Sequence, residues 1–304
     1  MSDHTQPKPI RNEEQLAAHI SRPFDDVAIE RLQTKLTPTD VVISTFPKCG
    51  TTWSAQIAHG LRSGGDMSFA NLGQVFPWLE MGHFFGQNLD STRAFEPALF
   101  KSHMELSELP PGGKIINIIR NPGDTLMSYY NFWADVLFDR DEVSLDMMAR
   151  QFFLLERSDA PRNMFQLNYY QHLVDFHTTE YDGPVLLVAY EDLKDDLPLA
   201  VRRIARFMDV DLNDELQAKV THQASFEFMS AHREKFSEQV PNGVMEMVVT
   251  GRVGDAETGL SDPLKEQLQT AWQRYVSPRL GYADYAELRA AIGQEMQDSN
   301  ARGA

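Results

Sequence analysis

One cysteine, Cys49, is all the thiol chemistry that 304 residues contain. A single sulfur excludes an internal disulfide framework and any multi-cysteine metal site, and suits a reducing compartment. Positive charge is also scarce. Twenty-eight Lys and Arg face 44 Asp and Glu, for a formal net charge of −16. Such a surface repels the phosphates of nucleic acids and anionic membranes, so no nucleic-acid partner is expected. Long apolar runs are missing too: nothing approaches the ~20 residues that a membrane-crossing helix requires. The opening MSDHTQPKPIRNEEQL is polar throughout, with no apolar segment behind a basic start. These absences describe a soluble chain expected in the cytoplasm. No internal repeat and no low-complexity linker divides it. Residues 15–297 are read as one domain, with polar, disordered ends at 1–14 and 298–304.

What is present alternates between strands and helices. Val41–Phe46, Lys114–Ile119 and Val185–Ala189 are near-continuous apolar runs, the pattern of parallel strands covered on both faces. Pro97–Lys101 is a weaker fourth. A helix is expected over Thr52–Arg62. Another follows Asn121-Pro122-Gly123-Asp124, where a cap residue, a first-turn proline and an acid stand in order. Leu126, Tyr130, Trp133 and Leu137 then recur at helical spacing. Ser261-Asp262-Pro263 opens a third. The fold class is therefore α/β, a parallel sheet with helices on both faces. In such folds ligands bind beyond the carboxyl ends of the strands. Here those are the loops at 47–52, 101–103 and 120–128.

The first loop carries the most specific chemistry. In FPKCGTTW, Phe46 to Trp53, a strand turns into a helix through a lysine, a glycine and two threonines. Gly50 allows close approach of the backbone to an anion, Thr51 and Thr52 add hydroxyl donors, and Lys48 adds charge. Alone, the stretch fits equally a tight turn whose lysine faces solvent. It is not a Walker A loop, because its lysine precedes the glycine.

Together, FPKCGTTW, FKSH at Phe100–His103 and IIRNPGDTLMSYYNF at Ile118–Phe132 resemble the cytosolic sulfotransferase family, in a bacterial-looking member. AYEDL and ASFEFM further along extend the likeness over residues 36–275. The resemblance implies a P-loop-like α/β domain that uses 3′-phosphoadenosine 5′-phosphosulfate (PAPS) and needs no metal. It makes Lys48, Cys49, Gly50, Thr51 and Thr52 the 5′-phosphosulfate loop. Lys48 would neutralise charge on the leaving oxygen, His103 would serve as general base, and Lys101 would be a second catalytic lysine. It assigns Arg120 and Ser128 to the 3′-phosphate, and Trp53, Tyr190 and Phe226 to adenine. A P-loop kinase using ATP, or a non-catalytic nucleotide-binding protein, is the alternative.

The chain departs from the family pattern where a basic loop usually closes over the 3′-phosphate. VVTGRVGDAETGL keeps Gly251, Gly254 and Asp255, but Val249 and Thr250 stand at the basic positions and Ala256 at a tryptophan. Ala224 replaces a hydroxyl residue. Arg252 is expected to supply part of the missing grip. Cys49 replaces a small residue and, beside a lysine, is expected to be open to thiol reagents. The aromatic segment VFPWLEMGHFF, with Phe76, Trp78, Leu79, Met81, Phe84 and Phe85, is expected to line the acceptor, a hydrophobic alcohol, phenol or lipid. The same residues would also suit a core. Oligomeric state stays open.

Overall fold

The computed structural model describes residues 10–20, 25–156, 166–240, 243–248 and 253–301. Four strands form a parallel sheet: β1 (Val41–Ser44), β2 (Leu99–Ser102), β3 (Lys114–Ile119) and β4 (Val185–Ala189), in the spatial order β2-β1-β3-β4. Val41 pairs with both Leu99 and Lys114, which makes β1 central. A short antiparallel hairpin, β5 (Glu238–Val240) and β6 (Gly243–Met245), stands apart from the sheet.

Among the described residues seven helices have ten or more residues. They are numbered here α1 (Thr51–Ser63), α2 (Pro122–Val136), α3 (Tyr169–Thr178), α4 (Leu197–Phe207), α5 (Asp214–Gln223), α6 (Asp262–Tyr275) and α7 (Tyr285–Ala301).

Alternation along the strands sorts their side chains between two faces. Val41, Ile43, Ile116 and Ile118 pack with Ala55 and Ile57 of α1 and Val201 and Ile204 of α4. Val42, Phe100 and Ile115 point the other way, toward Leu79, Met104 and Phe176 of α3. A third cluster joins Phe46 to α2, α3, α6 and α7 through Tyr129, Tyr170, Trp272 and Leu288. The β1 side chains Val41, Val42 and Ile43 are wholly buried, each stabilising the fold by about 1.5–3 kcal/mol.

Two boundaries differ from the sequence reading. β1 ends at Ser44 rather than Phe46, because Phe46 leaves the ladder to meet Tyr129, Phe153 and Tyr169 edge-on. At the N-terminal end, Ile10 is buried and its N–H donates to the Leu137 carbonyl at 3.0 Å. The core thus reaches into the stretch expected to be a polar end.

Since all four strands run the same way, their carboxyl ends share one edge of the sheet. Thr45, His103, Arg120 and Tyr190 each directly follow a strand there. From β1 the chain passes to β2 on one side and then crosses back to β3 on the other, so a crevice opens at that edge.

Candidate active site

The turn after β1 is shaped by two residues in the left-handed region. Gly50 has φ +113°, and a Cβ there would meet Tyr190 Cδ2 at 2.9 Å. Lys48 has φ +71° despite its side chain, a strain of about 1–2 kcal/mol that packing must hold. The Thr45 and Thr51 hydroxyls share a 2.6 Å hydrogen bond that closes the turn. Gly50 caps α1 without a side-chain acceptor. The first N–H groups of a thirteen-residue helix therefore face outward with its positive end, an arrangement that suits an anion. The Lys48 ammonium lies over the Phe132 ring, 4.1 Å from its centroid.

Beside this turn, β2 delivers Lys101 and His103 to one side of the chain, two residues apart. His103 is 5% exposed, and its Nδ1 lies 2.8 Å from the Thr45 carbonyl. A carbonyl only accepts, so Nδ1 carries the proton and Nε2 is left as the basic nitrogen. Burial first, then the nearby Lys101 charge, hold the imidazole well below its ordinary pKa. It is thus neutral at physiological pH. Its backbone N–H donates to Glu80 Oε1 at 2.7 Å. Burial raises the pKa of Glu80. The Lys101 ammonium sits 3.7 Å over the Trp78 ring, and the His103 ring meets the same indole edge-on at 5.1 Å.

The third strand end supplies Arg120. Its guanidinium donates to the Lys48 carbonyl at 3.1 Å and stacks 4.4 Å over the Tyr190 ring. Its own carbonyl accepts the Tyr169 hydroxyl at 2.5 Å. Asn121 then caps α2, its Oδ1 accepting from Gly123 and Asp124 N–H, and Ser128 follows two turns in. Asp124 was not anticipated as an anchor. It is buried, and its carboxylate accepts the N–H groups of Gly254 and Ala256 at 2.7 and 2.9 Å. Trp53 on α1 donates from Nε1 to the Ala224 carbonyl at 2.8 Å and meets Tyr190 edge-on.

These strand ends surround one cavity of about 420 Å³. Lys48, Gly50, Thr51, Thr52, Trp53, Lys101, His103, Arg120, Ser128, Tyr190 and Phe226 all line it. Phe226 is 45% exposed there and so is not a core aromatic. Cys49 departs from the expectation. It lies behind the turn, fully buried, its Sγ 3.7 Å from the Thr125 hydroxyl. Burial pushes its thiol up to about 12, against the lowering that a neighbouring lysine suggested. Gly254 does not line the cavity either; its N–H is turned to Asp124. Arg252, with Val249, Thr250 and Gly251, lies outside the described residues.

The aromatic segment also divides. Phe76 and Leu79 belong to the two sheet-face cores and Phe84 is exposed, while Trp78 alone of the six lines the cavity. The apolar wall opposite comes from Tyr129, Phe132 and Trp133 of α2, from Met245 at the end of β6, and from Met247 and Val248 after the hairpin. The α2 residues were legible as a helix, but not which of its faces would meet the cavity.

A family described as "Sulfotransferase domain" matches residues 38–274. Sulfotransferase 1A1 of Rattus norvegicus is 30% identical over 234 residues, covering 73% of this chain and 77% of that protein. Among solved structures, retinol dehydratase in complex with retinol and PAP aligns with a TM-score of 0.61 at 18% identity, over 82% of this chain and 84% of that one. Mouse sulfotransferase SULT7A1 complexed with PAP also gives 0.61 at 18% identity, over 89% and 94%. At such identity the two structures show a common fold.

Proposed function

The chain belongs to the sulfotransferase family, and on that footing we propose that it moves the sulfuryl group of PAPS to the hydroxyl of a small apolar acceptor. The observation that carries this reading is His103. Its Nδ1 is fixed on the Thr45 carbonyl, its imidazole is neutral, and Lys48 and Lys101 line the same cavity. The neutral Nε2 takes the hydroxyl proton as the oxygen attacks sulfur. Lys48 meets the charge that develops on the departing phosphate oxygen.

Two features fit the donor. Gly50, in a left-handed turn with the Tyr190 ring packed against its Cα, brings bare backbone to the cavity at the positive end of α1. Cations gather in the cavity of a protein whose net charge is −16: Lys48, Lys101, Arg120 and Lys194. Arg120 and Ser128 are assigned to the 3′-phosphate, with Trp53, Tyr190 and the open face of Phe226 around adenine. PAP, which both structural relatives were solved with, is the desulfated form of this donor. The acceptor is a hydrophobic alcohol, phenol or lipid, because Trp78, Tyr129, Phe132, Trp133 and two methionines form the remaining wall. The same reading places the work in the cytoplasm, where a protein with one thiol is at home.

The test is incubation with PAPS and a panel of hydroxylated compounds, followed by mass spectrometry. A sulfate-sized gain on apolar hydroxyl compounds, without added metal, is expected. Transfer of phosphate from ATP that depends on magnesium, with no gain from PAPS, would sink the reading.

A further inference from the structure

Trp78 touches both of the groups that flank the attacking position. The Lys101 ammonium lies 3.7 Å over its ring, and the His103 ring stands at 88° to it with centroids 5.1 Å apart. Little about this indole is free to move. It is 4% exposed, and the Phe85 ring runs nearly parallel to it at 5.9 Å. The main chain of Trp78 is fixed as well: its backbone N–H donates to Gln87 Oε1 at 2.8 Å, and its backbone carbonyl accepts from Arg31 Nη2 at 2.8 Å. The backbone on either side is zipped to Lys101, whose N–H donates to the Pro77 carbonyl while its carbonyl accepts from Leu79. The segment thus adds a short parallel bridge to the edge of the sheet where Lys101 leaves it.

We propose that Trp78 is a positioning residue, whose fixed ring face holds the Lys101 ammonium beside the His103 imidazole. An ammonium on a long stem has many rotamers open to it, and the negative face of an indole is the best aromatic seat for it. The spacing matters because the donor is an anion. Negative charge arriving in the cavity draws a proton onto an imidazole, and a protonated His103 cannot act as base. A cation held at fixed distance opposes that.

The other groups facing His103 are Lys48 from the turn after β1, His172 from α3, the Glu80 carboxyl at its backbone N–H and the Thr45 carbonyl at Nδ1. Lys48 and His172 also disfavour the imidazolium; the Thr45 carbonyl favours it. Lys101 has the largest effect among the charges, so its seat is the one whose loss is measurable.

The proposal rests on the base role given to His103, and its test separates the two. Histidine-labelled full-length protein is titrated by NMR with neither donor nor acceptor present, the His103 signal being assigned with His103→Gln. Trp78→Leu keeps an apolar side chain without a ring. It is expected to raise the His103 pKa by about one unit, a tenfold gain in proton affinity. Trp78→Phe, which keeps a ring face, should remain near the parent. In a Lys101→Met background, Trp78→Leu should add little. Should Trp78→Leu fail to fold, Trp78→Met is read in the same way. No rise in a folded variant overturns the proposal. So does a rise of equal size in the Lys101→Met background, which would mean that Trp78 only keeps water away. In parallel, turnover of PAPS with 2-naphthol is followed against pH, and its acid limb should move up with the NMR value. Absence of transfer in the parent protein would count against the sulfotransfer reading and leave the NMR result standing.

Discussion

Gly50 bears two constraints at once: a φ of +113° and a Tyr190 ring carbon 2.9 Å from where a Cβ would sit. Gly50→Ala should therefore cost about 1–2 kcal/mol in backbone strain alone. It should also displace the ring on which Arg120 stacks. Urea unfolding is expected to show the loss of stability, and calorimetry with PAP a weaker affinity, by tenfold or more. Unchanged values in both would show that the turn relaxes freely. The role of this glycine was legible in the sequence, since strand, glycine and helix in that order require a tight turn. Cys49, one position earlier, was not. Its neighbour in sequence is a lysine, but its neighbours in space are the core and Thr125, and those set its pKa. Asp124 was read as an ordinary first-turn acid, because its partners Gly254 and Ala256 lie 130 and 132 residues away.

Between elements, the clearest bond is made by α7. The Tyr285 hydroxyl donates to Glu191 Oε2 at 2.5 Å, and Glu191 Oε1 accepts the Asn121 N–H at 3.0 Å. One buried carboxylate thus ties the last helix to the loop that follows Arg120. Tyr285→Phe leaves that carboxylate short of one donor and should destabilise the protein by about 1.5–3 kcal/mol, the scale of a hydrogen bond to a charged group. Chemical denaturation measures it; a loss under a few tenths would mean that water replaces the hydroxyl. The sheet was legible because strands buried on both faces are written as apolar runs, and β3 and β4 lie where the pattern places them. β2 starts two residues later and ends one later than expected, Leu99–Ser102 against Pro97–Lys101, since its short run, opened by a proline and closed by Lys101 and Ser102, has no clear apolar bounds. The hairpin of three-residue strands gave no period to read, although the segment after it brings Met247 and Val248 to the cavity.

On the scale of the whole molecule, buried histidines set the response to acid. Burial lowers His59 and His172 to about 4 from the ordinary 6.5. Both are neutral when folded and charge readily when unfolded, so their stability is present above pH 6.5 and is lost as pH falls toward 4. Together they should remove about 3–4 kcal/mol between pH 7 and pH 5. Glu80 opposes them, because its raised pKa disfavours the folded state as pH climbs. Urea titrations at the two pH values give the net change. His103, which burial also holds well below its ordinary value, adds a loss of the same sign. His172→Gln should take away close to half of the share that His59 and His172 make. A slope that His172→Gln leaves untouched would place the acid sensitivity elsewhere. The single cysteine lends this molecule a clock. Its thiol is sealed beneath the very turn proposed to hold the sulfate donor, so a chromogenic disulfide can reach it only during an opening. Each molecule can react once, at the moment its turn comes apart. The rate of colour then counts those openings, in the native protein and without any label, and a ligand seated on the turn slows the count.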